Sequence, residues 1–483
     1  MTAREFSMTT IFRRLLFRPL LSAIMVAMLT GGPGGCSPGS PDAASSGDGS
    51  SPAGTDTDAR NPASATDAGK TTLAEPSAAS GDREATGAAT AETSETANTE
   101  TATKLEFVAP ALTEQELRDG WISLFDGQTL FGWDVPSGTN WQVENGAITA
   151  DSGERSLLLT PFRYDDFELR CDFHLASGGN SGIFLRTAED AANPAIDTYE
   201  LNICDTHESH PTGSLVGRHV ASDVPAVEGS WHTFHVRCEG PHITVQLDGT
   251  RIVDFTDESE HVRESGRIGL QMNQGRIAFR NVFLRPLHSV DLFNGTDLSG
   301  FREVPGSKSR FVVQDGVIFA QGGPGFLETE ATWDDFILHV ESNIRDEKAI
   351  ADGRPANSGV FFRAMAGTEA APSNGYEMQI QHDFKNGDRT QPLDFGSGAI
   401  YRRQPARYIV ADNNEWVVQT LIAQGRRFAT FVNGYQVLDW IDEREADANP
   451  RKGLRLDAGH LSLQGHDPTT DLDFRAIRIH DLK

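Results

Sequence analysis

Apolar and polar residues alternate in short runs along the chain after residue 107. In the run Phe167–Phe173, for example, Phe, Leu, Cys and Phe alternate with Glu, Arg and Asp. A period of two is typical of a β-strand with one buried face. Such runs recur roughly every ten residues, and Asn-Gly, Asp-Gly and Gly-Gly turns separate them. The pattern predicts an all-β protein built as an antiparallel β-sandwich or jelly roll.

One segment has a helical start signal instead. Thr113 is followed three residues later by Glu116, and Leu117 comes next. This is the capping-box pattern, in which the hydroxyl and the carboxylate each satisfy a backbone N–H at the beginning of a helix. We expect a short helix that leads into the first domain.

The second half of the chain repeats the short sequence motifs of the first half in the same order. This predicts two tandem domains, at 107–287 and 288–483, each of roughly 180–195 residues, a size at which a domain buries about 70% of its unfolded surface. The matches include LFDG from Leu124 with LFNG from Leu292, YDDFEL from Tyr164 with WDDFIL from Trp333, NSGIFLR from Asn180 with NSGVFFR from Asn357, YELNICD from Tyr199 with YEMQIQHD from Tyr376, and GRIGLQ from Gly266 with GHLSLQ from Gly459.

The N-terminal sequence predicts an export signal followed by a linker. Arginines precede an apolar run from Leu20 to Leu29, which is too short for an ordinary membrane span of about 20 residues. Residues 1–36 end in small residues and Cys36, which resembles a lipoprotein processing site; simple signal cleavage is the alternative. Residues 37–106 are mostly Ser, Thr, Ala, Gly and acidic residues, and we expect a disordered linker. The expected location is periplasmic or on the cell surface, anchored through a lipid at Cys36.

The net charge argues against a nucleic-acid partner, and the cysteine spacing argues against a structural zinc module. The formal net charge is −27 and no Lys/Arg run forms a basic patch, so a nucleic-acid partner is not expected. The four cysteines form no zinc-module spacing. Cys171, Cys204 and Cys238 all lie in the first domain, where at most one disulfide can form and buried thiols are the alternative.

The repeated motifs together resemble the 3-keto-disaccharide hydrolase domain family. They are LF(D/N)G, NSG(I/V)F(L/F)R, the YE strand, the LQ strand and the FRN region, and they cover nearly all of both halves. The resemblance implies tandem concanavalin A-like β-sandwiches and activity on a sugar oxidised at C3. Because one fold hosts many activities, it implies the fold more strongly than the function.

Two neighbouring strands carry the candidate site. In NSGVFFR, Val360 and Phe362 share one face of the strand and Phe361 and Arg363 the other, since side chains alternate. A ring beside a guanidinium could bind a sugar, and a structural ion pair of the arginine is the alternative. Phe184 and Arg186 are the equivalent residues of the first domain.

The next strand places Glu377, Gln379 and Gln381 on one face, which we expect to line a cleft. Glu200 is the equivalent of Glu377. Glutamate is disfavoured in strands, so its recurrence suggests a specific task. The alternative is that Glu377 pairs with Arg363 and has no role in chemistry.

A carbonyl at C3 acidifies the C2 proton, so one general base and one oxyanion stabiliser suffice to eliminate the C1 substituent before water adds. For this reaction on 3-keto-disaccharides or 3-keto-glucosides, we assign Glu377 as base and Arg363 as stabiliser. His382 or Asp383 is expected as proton donor or metal ligand. A divalent metal is left open, and no other cofactor is identified. The remaining candidate sugar contacts are Phe361, Gln379, Tyr401, His466, Glu200, Arg186 and Phe184.

The first domain departs from this pattern. GAIY, which ends at Tyr401, becomes GSLV, which ends at Val216, and Met272-Asn273 replaces Gly465-His466. We therefore expect the second domain to be the enzyme and the first a binding or degenerate copy. The segment 205–210 carries Asp, His, Glu and His but not in HExxH spacing, and we read it as a loop.

Three classes of function remain open. The leading expectation is an exported hydrolase or lyase of oxidised glycosides. The alternative is a non-catalytic surface lectin, for which two linked sites would raise avidity. A structural envelope protein, with no cleft, is the third.

Overall fold

The computed structural model describes residues 107–189, 191 and 193–482. The predicted export signal, Cys36 and the whole predicted linker lie outside the described residues, so these assignments stay predictions. In the described part of the chain, no helix is long and apolar enough to cross a membrane.

The first half of the described chain contains two short helices and twelve strands. In chain order they are α1 (Glu114–Arg118), β1 (Ile122–Ser123), β2 (Gln142–Glu144), β3 (Ala147–Ala150), β4 (Ser156–Leu159), β5 (Phe167–Leu175), β6 (Ser181–Thr187), α2 (Pro194–Asp197), β7 (Tyr199–Ile203), β8 (Trp231–Glu239), β9 (His242–Leu247), β10 (Thr250–Thr256), β11 (Arg267–Met272) and β12 (Ile277–Pro286).

The second half contains one short helix and thirteen strands within the described residues. They are β13 (Val290–Asp291), β14 (Phe301–Glu303), β15 (Arg310–Gln314), β16 (Val317–Gln321), β17 (Gly325–Thr329), β18 (Phe336–Ile344), α3 (Glu347–Ala351), β19 (Ser358–Ala364), β20 (Tyr376–Ile380), β21 (Val417–Gln424), β22 (Arg427–Val432), β23 (Tyr435–Ile441), β24 (His460–Gly465) and β25 (Asp471–Asp481).

Each half is a sandwich of one large and one small antiparallel sheet. The large sheet of the first half has the order β10-β9-β8-β5-β12-β3-β2, and the small sheet β4-β11-β6-β7. The second half repeats both orders as β23-β22-β21-β18-β25-β16-β15 and β17-β24-β19-β20, with β14 added at the edge of the small sheet. The predicted all-β fold of two tandem concanavalin A-like sandwiches and the predicted duplication are confirmed.

The core lies between the two sheets of each half, as the alternating pattern requires. In β5 the residues Phe167, Leu169, Cys171, Phe173 and Leu175 are buried, whereas Arg170, Asp172 and His174 are partly exposed. Large apolar residues of both sheets meet in this layer, and their burial is the main favourable contribution to folding.

The two sandwiches share part of one core. Ile337, Ile422 and Phe431 of the second half are buried in the same apolar cluster as the core of the first half. Polar contacts cross the same junction: the Arg407 guanidinium lies 2.8 Å from the buried Asp126 carboxylate. The two halves therefore pack against each other as well as following each other in the chain.

The predicted helix and its capping box are confirmed. The Thr113 hydroxyl accepts from the Glu116 N–H at 3.2 Å, and the Glu116 carboxylate accepts from the Thr113 N–H at 2.8 Å. The helix packs near the second half, because Leu117 approaches the space beside Gly434. Cys171, Cys204 and Cys238 are free buried thiols, which agrees with the thiol alternative.

Candidate functional site

The site lies on the outer face of the small sheet of the second half, at its β20 edge. On β19 and β20, Val360, Phe362, Tyr376 and Met378 point into the core, as their phase predicts. Glu377 is on the opposite face, between flanking core residues. The sheet therefore presents the Glu377 carboxyl away from the core, toward the loops that cover this face.

A pocket opens above Glu377. Its walls come from the turn after β20, from the loop before β24 and from the start of β20 itself. It is lined by Gly375, Tyr376, Glu377, Ile400, Tyr401, Arg402, Arg403, Pro450 and Arg451. The backbone holds the turn against the strand, because the Tyr401 N–H donates to the Glu377 carbonyl at 2.9 Å. The structure thus brings two of the predicted site residues, Glu377 and Tyr401, together.

Burial dominates the electrostatics of Glu377. Burial raises the pKa of its carboxyl to about 7, although Arg451 opposes the shift. The guanidinium Nη2 of Arg451 lies 3.3 Å from Glu377 Oε2, a distance too long for a tight ion pair. Because only 6% of the Glu377 side chain is exposed, desolvation outweighs this attraction. A pKa near neutrality is the value at which a base works best at neutral pH.

Arg451 also covers the aromatic floor of the site. Its guanidinium lies 5.1 Å from the centre of the Phe361 ring, and Phe326 packs edge-on against the same ring at 5.4 Å. Phe361 is fully buried. The ring is therefore on the predicted face but lies under Arg451 and offers no open platform for a sugar.

The prediction that Arg363 faces the cleft beside Glu377 is wrong. Arg363 is fully buried and sits in a β-bulge, where the register between β19 and β24 shifts and its φ is 45°. The bulge breaks the alternation from which its outward position was inferred. Its guanidinium donates to the carbonyl oxygens of Asp334, Gly425 and Arg455 at 2.6–3.0 Å and to the Asp335 carboxylate at 2.8 Å.

Arg186 repeats this arrangement in the first half, so its predicted sugar contact is wrong for the same reason. Its φ is 50°, and it donates to the carbonyls of Asp165, Gly240 and Arg263 and to the Asp166 carboxylate at 2.5–2.8 Å. Both arginines therefore tie the small sheet to the turns of the large sheet, which is the structural alternative considered from the sequence.

A glycine faces each bulge because the backbone approaches too closely for a side chain. A Cβ at Gly459 would lie 2.3 Å from the carbonyl carbon of Arg363, and one at Gly266 would lie 2.2 Å from that of Arg186. These are the first residues of the GHLSLQ and GRIGLQ motifs. The shared glycine is thus part of the structural arginine motif.

Other predicted site residues lie outside the lining of this pocket. His382 is buried, its Nδ1 is 2.8 Å from the Ser397 hydroxyl, and burial lowers its pKa to about 4. Asp383 accepts from the Asn413 amide at 3.2 Å, and burial raises its pKa. His466 contacts Asp467. Gln379 is buried, and its amide donates to the Asp394 carbonyl at 3.1 Å. The structure does not bring these four side chains into contact with Glu377.

The first half contains the same glutamate without the same surroundings. Burial raises the pKa of Glu200 to about 7, and its Oε1 accepts from the Gln271 amide at 3.3 Å. Its Oε2 is buried and has no hydrogen-bond partner among the described residues. Val216 takes the place of Tyr401, because its N–H donates to the Glu200 carbonyl. The predicted contact residue Phe184 is buried. The first half therefore keeps the acid, but Val216 and Gly217 stand where the second half has Tyr401 and Arg402.

No group of three or more His, Cys, Asp and Glu side chains is placed to hold a metal ion within the described part of the chain. The segment 205–210 is a loop, as expected. Its Asp205 carboxylate accepts from the N–H groups of Val227 and Glu228 and from the Thr212 hydroxyl at 2.7–3.1 Å, so it has a structural role.

Sequence reasoning missed Arg402, Arg403 and Arg451. The sequence does contain a signal for Arg451, because the segment that carries it is longer than the equivalent segment of the first half. Tyr199 and Tyr376 each donate to an aspartate, Asp257 or Asp442, at 2.7 Å and each accept from a later backbone N–H. Between these fixed points the first half has residues 258–262 and the second half residues 443–454. The longer segment supplies Pro450 and Arg451 to the pocket wall.

Comparison with known proteins agrees with this architecture. Residues 120–285 and 288–480 each match the 3-keto-alpha-glucoside-1,2-lyase-like domain. A 3-keto-disaccharide hydrolase of Bacteroides thetaiotaomicron is 31% identical over 121 residues, which cover 20% of this chain and 41% of the relative. The chain thus matches about two fifths of the length of that relative.

Solved structures with similar folds are more distant. A protein of Parabacteroides distasonis, provisionally described as a glycosyl hydrolase, is 21% identical, with a TM-score of 0.33, over 37% of this chain and 99% of its own. A carbohydrate-binding module of Bacillus subtilis is 20% identical, with a TM-score of 0.26, over 33% of this chain and 96% of its own. The two family matches together cover most of the described residues, and the chain therefore belongs to the 3-keto-alpha-glucoside-1,2-lyase-like domain family, of which it carries two copies.

Proposed function

We propose that the protein cleaves glycosides oxidised at C3 and that the reaction takes place in the pocket above Glu377. The observation that carries this proposal is a buried carboxyl with a pKa of about 7 beside a guanidinium, at the base of an open pocket. The family match and the name of the 31% identical relative support the substrate class.

The chemistry needs one base and one cation side by side. The ketone at C3 makes the C2 proton acidic, and its removal places negative charge on the C3 oxygen, two bonds from C2. Glu377 takes the proton. Arg451, 3.3 Å away and about one third exposed, stabilises the oxygen, the role first assigned to Arg363. Tyr401 orients the sugar from the pocket wall.

The remaining steps balance without a second carboxylate. The C2–C3 enediolate reforms the C3 ketone, a C1–C2 double bond forms, and the C1–O bond breaks. Protonated Glu377 returns its proton to the leaving oxygen. Addition of water across C1 and C2 then gives the hydrolysed sugar, whereas release before this step gives a lyase product.

The first domain has a specific feature that favours binding over catalysis. It keeps a buried Glu200 but has Val216 where the second domain has Tyr401, and Gln271 is the side chain in contact with the acid. With a pKa of about 7, the Glu200 carboxyl is partly protonated near neutral pH, and together with the Gln271 amide it suits the hydroxyl groups of a carbohydrate. We assign this half as a binding or degenerate copy.

Export with a lipid at Cys36 is part of the same proposal, because a surface location would expose the pocket to extracellular glycosides. A Cys36→Ala variant is expected to move from the membrane fraction to the soluble fraction of the cells. Retention in the membrane fraction would contradict the assignment.

The test of the reaction is release of reducing product from a 3-keto-glucoside by the purified protein, with and without chelator. Glu377→Gln is expected to lower kcat at least about 100-fold, as removal of a general base does, and Glu200→Gln is the matched control. Undiminished turnover by Glu377→Gln would remove Glu377 from the mechanism. Glycan binding without turnover by the unmodified protein would instead support the lectin alternative.

A further inference from the structure

The pocket of the second domain has an excess of positive charge. Its ionic side chains are those of Arg402, Arg403 and Arg451 and the carboxyl of Glu377. Arg451 is the partner of Glu377, whereas no carboxylate of the described residues forms an ion pair with Arg402 or Arg403. Arg403 donates to the carbonyls of Arg451 and Arg402. Glu377 and Asp394 attract Arg402 and Asp442 attracts Arg403, but none of these carboxylates forms an ion pair with them. Two guanidinium groups without a direct ionic partner at one pocket are unexpected in a chain with a net charge of −27.

The backbone at Arg402 shows that its side chain is retained at a conformational cost. Arg402 has a φ of 59°, in the left-handed region that disfavours residues with a Cβ. Gly217 occupies the equivalent turn of the first domain with a φ of 73°. The turn is therefore made more easily with glycine, and strained residues of this kind concentrate at functional sites.

The Arg402 side chain is also directed toward the pocket. Its guanidinium lies 5.3 Å from the centre of the Tyr401 ring, and both residues line the pocket. The cation–π contact keeps the planar fork at the mouth of the pocket. In the first domain this cation is absent, and the equivalent of Arg403, which is Arg218, pairs with the Asp257 carboxylate at 2.5 Å.

We propose that the pocket of the second domain selects glycosides that carry a carboxylate, that is uronides, and that Arg402 and Arg403 contact the acid. A guanidinium fork binds a carboxylate through two parallel hydrogen bonds, a geometry that a neutral hydroxymethyl group does not offer. This inference rests on the proposed function, since it names the substrate class of the same pocket.

The test compares two glycosides that differ at one carbon, methyl glucuronide and methyl glucoside, by titration calorimetry with the full chain. Neither has a ketone, so binding is measured without turnover. The unmodified protein is expected to bind the uronide about tenfold more tightly at low salt. The preference is expected to shrink at 0.5 M salt, because the contact is ionic and partly exposed to solvent.

The decisive variant is Arg402→Gly, which installs the residue that the first domain uses. We expect the preference for the uronide to fall to within about twofold, while the melting temperature stays within about 2 °C, since relief of backbone strain offsets the greater freedom of glycine when unfolded. Asn386→Gly is the matched control, because Asn386 is exposed, has a φ of 55° and lies outside the pocket lining. The control is expected to keep the tenfold preference.

Several outcomes would overturn the inference. They are equal binding of both glycosides by the unmodified protein, no binding of the uronide, or a tenfold preference that survives in Arg402→Gly. Turnover of a 3-keto-glucoside and of the matching 3-keto-glucuronide is measured on the same samples. Turnover of neither substrate, with the uronide preference intact, would refute the proposed reaction and leave the acid site standing.

Discussion

Replacing Glu377 with glutamine is expected to remove activity and to stabilise the protein at high pH. The two effects have one cause, which is burial of the carboxyl. Burial raises the pKa of Glu377 from its ordinary value of 4.5 to about 7, so the folded protein holds this proton more tightly than the unfolded chain does. The free energy of unfolding therefore falls as the pH rises from about 4.5 to about 7, and it stays lower above that range.

The size of the effect follows from the shift. A change of about 2.5 pKa units corresponds to about 3 kcal/mol, because each unit is worth about 1.4 kcal/mol. Little of this is lost to solvent screening, since only 6% of the Glu377 side chain is exposed. Glutamine has the shape of the protonated acid and no charge. The stability of Glu377→Gln relative to the unmodified protein should thus increase by about 3 kcal/mol between pH 4.5 and pH 8.

The assay is urea unfolding at several pH values between pH 4.5 and pH 8, with the activity of each sample measured on a 3-keto-glucoside. Glu200→Gln is the matched control, because burial raises the pKa of Glu200 to about 7 as well. It should show the same pH-dependent gain in stability but keep the activity. A pH-independent difference in stability for Glu377→Gln would refute the raised pKa, and equal loss of activity in both variants would refute the assignment of catalysis to the second domain.

Three further predictions concern other parts of the structure. Arg451→Gln should move the ascending limb of the pH profile of kcat/KM to higher pH, because Arg451 lowers the pKa of Glu377; an unchanged midpoint would contradict the contact. Arg363→Gln should lower the free energy of unfolding, measured in urea, by about 3 kcal/mol or more, because buried carbonyl and carboxylate acceptors lose their donor. The control Arg426→Gln, at an exposed position, should change the free energy of unfolding by less than about 0.5 kcal/mol. Phe431→Ala should lower the free energy of unfolding by about 3–5 kcal/mol, because this second-half ring is buried in the apolar cluster that contains the core of the first half. In calorimetry the melting temperatures of both halves should fall together. A separate transition that stays unchanged would contradict the shared core.

The sequence predicts the fold well because the fold depends on local and repeated patterns. Alternation in Phe167–Phe173 indicates a half-buried strand, and the capping residues Thr113 and Glu116 indicate the helix that the structure contains. Repeated motifs reveal two domains without knowledge of any contact. The outward position of Glu377 follows from the same alternation, since its neighbours on β20 are core residues.

The predicted site fails where the backbone departs from regular geometry. The bulge at Arg363 reverses the expected direction of that side chain, and nothing in NSGVFFR distinguishes it from a regular strand. A signal was present elsewhere, because both halves carry an Asp-Asp pair, at Asp165 and at Asp334, that supplies acceptors to the arginine. Long-range placement of this kind depends on tertiary packing, which a periodicity does not contain.

The rim of the pocket could be predicted only in part. Comparison of the two halves reveals the extra residues of the segment 443–454. It does not reveal that Arg451 folds back over Phe361. The left-handed conformation of Arg402 is likewise a property of the turn, and its equivalent Gly217 is the one hint in the sequence.

The central claim is that Glu377 removes the proton at C2 of a 3-ketoglycoside. Its most direct test is turnover of a 3-keto-glucoside in deuterium oxide, with the released sugar analysed by nuclear magnetic resonance and with enzyme-free and Glu377→Gln samples run in parallel. The account predicts that the product formed by the unmodified protein carries deuterium at C2 from its first appearance, and that Glu377→Gln forms neither the product nor the label above the enzyme-free rate. Product that retains its original hydrogen at C2 would show direct displacement at C1 and would contradict the account.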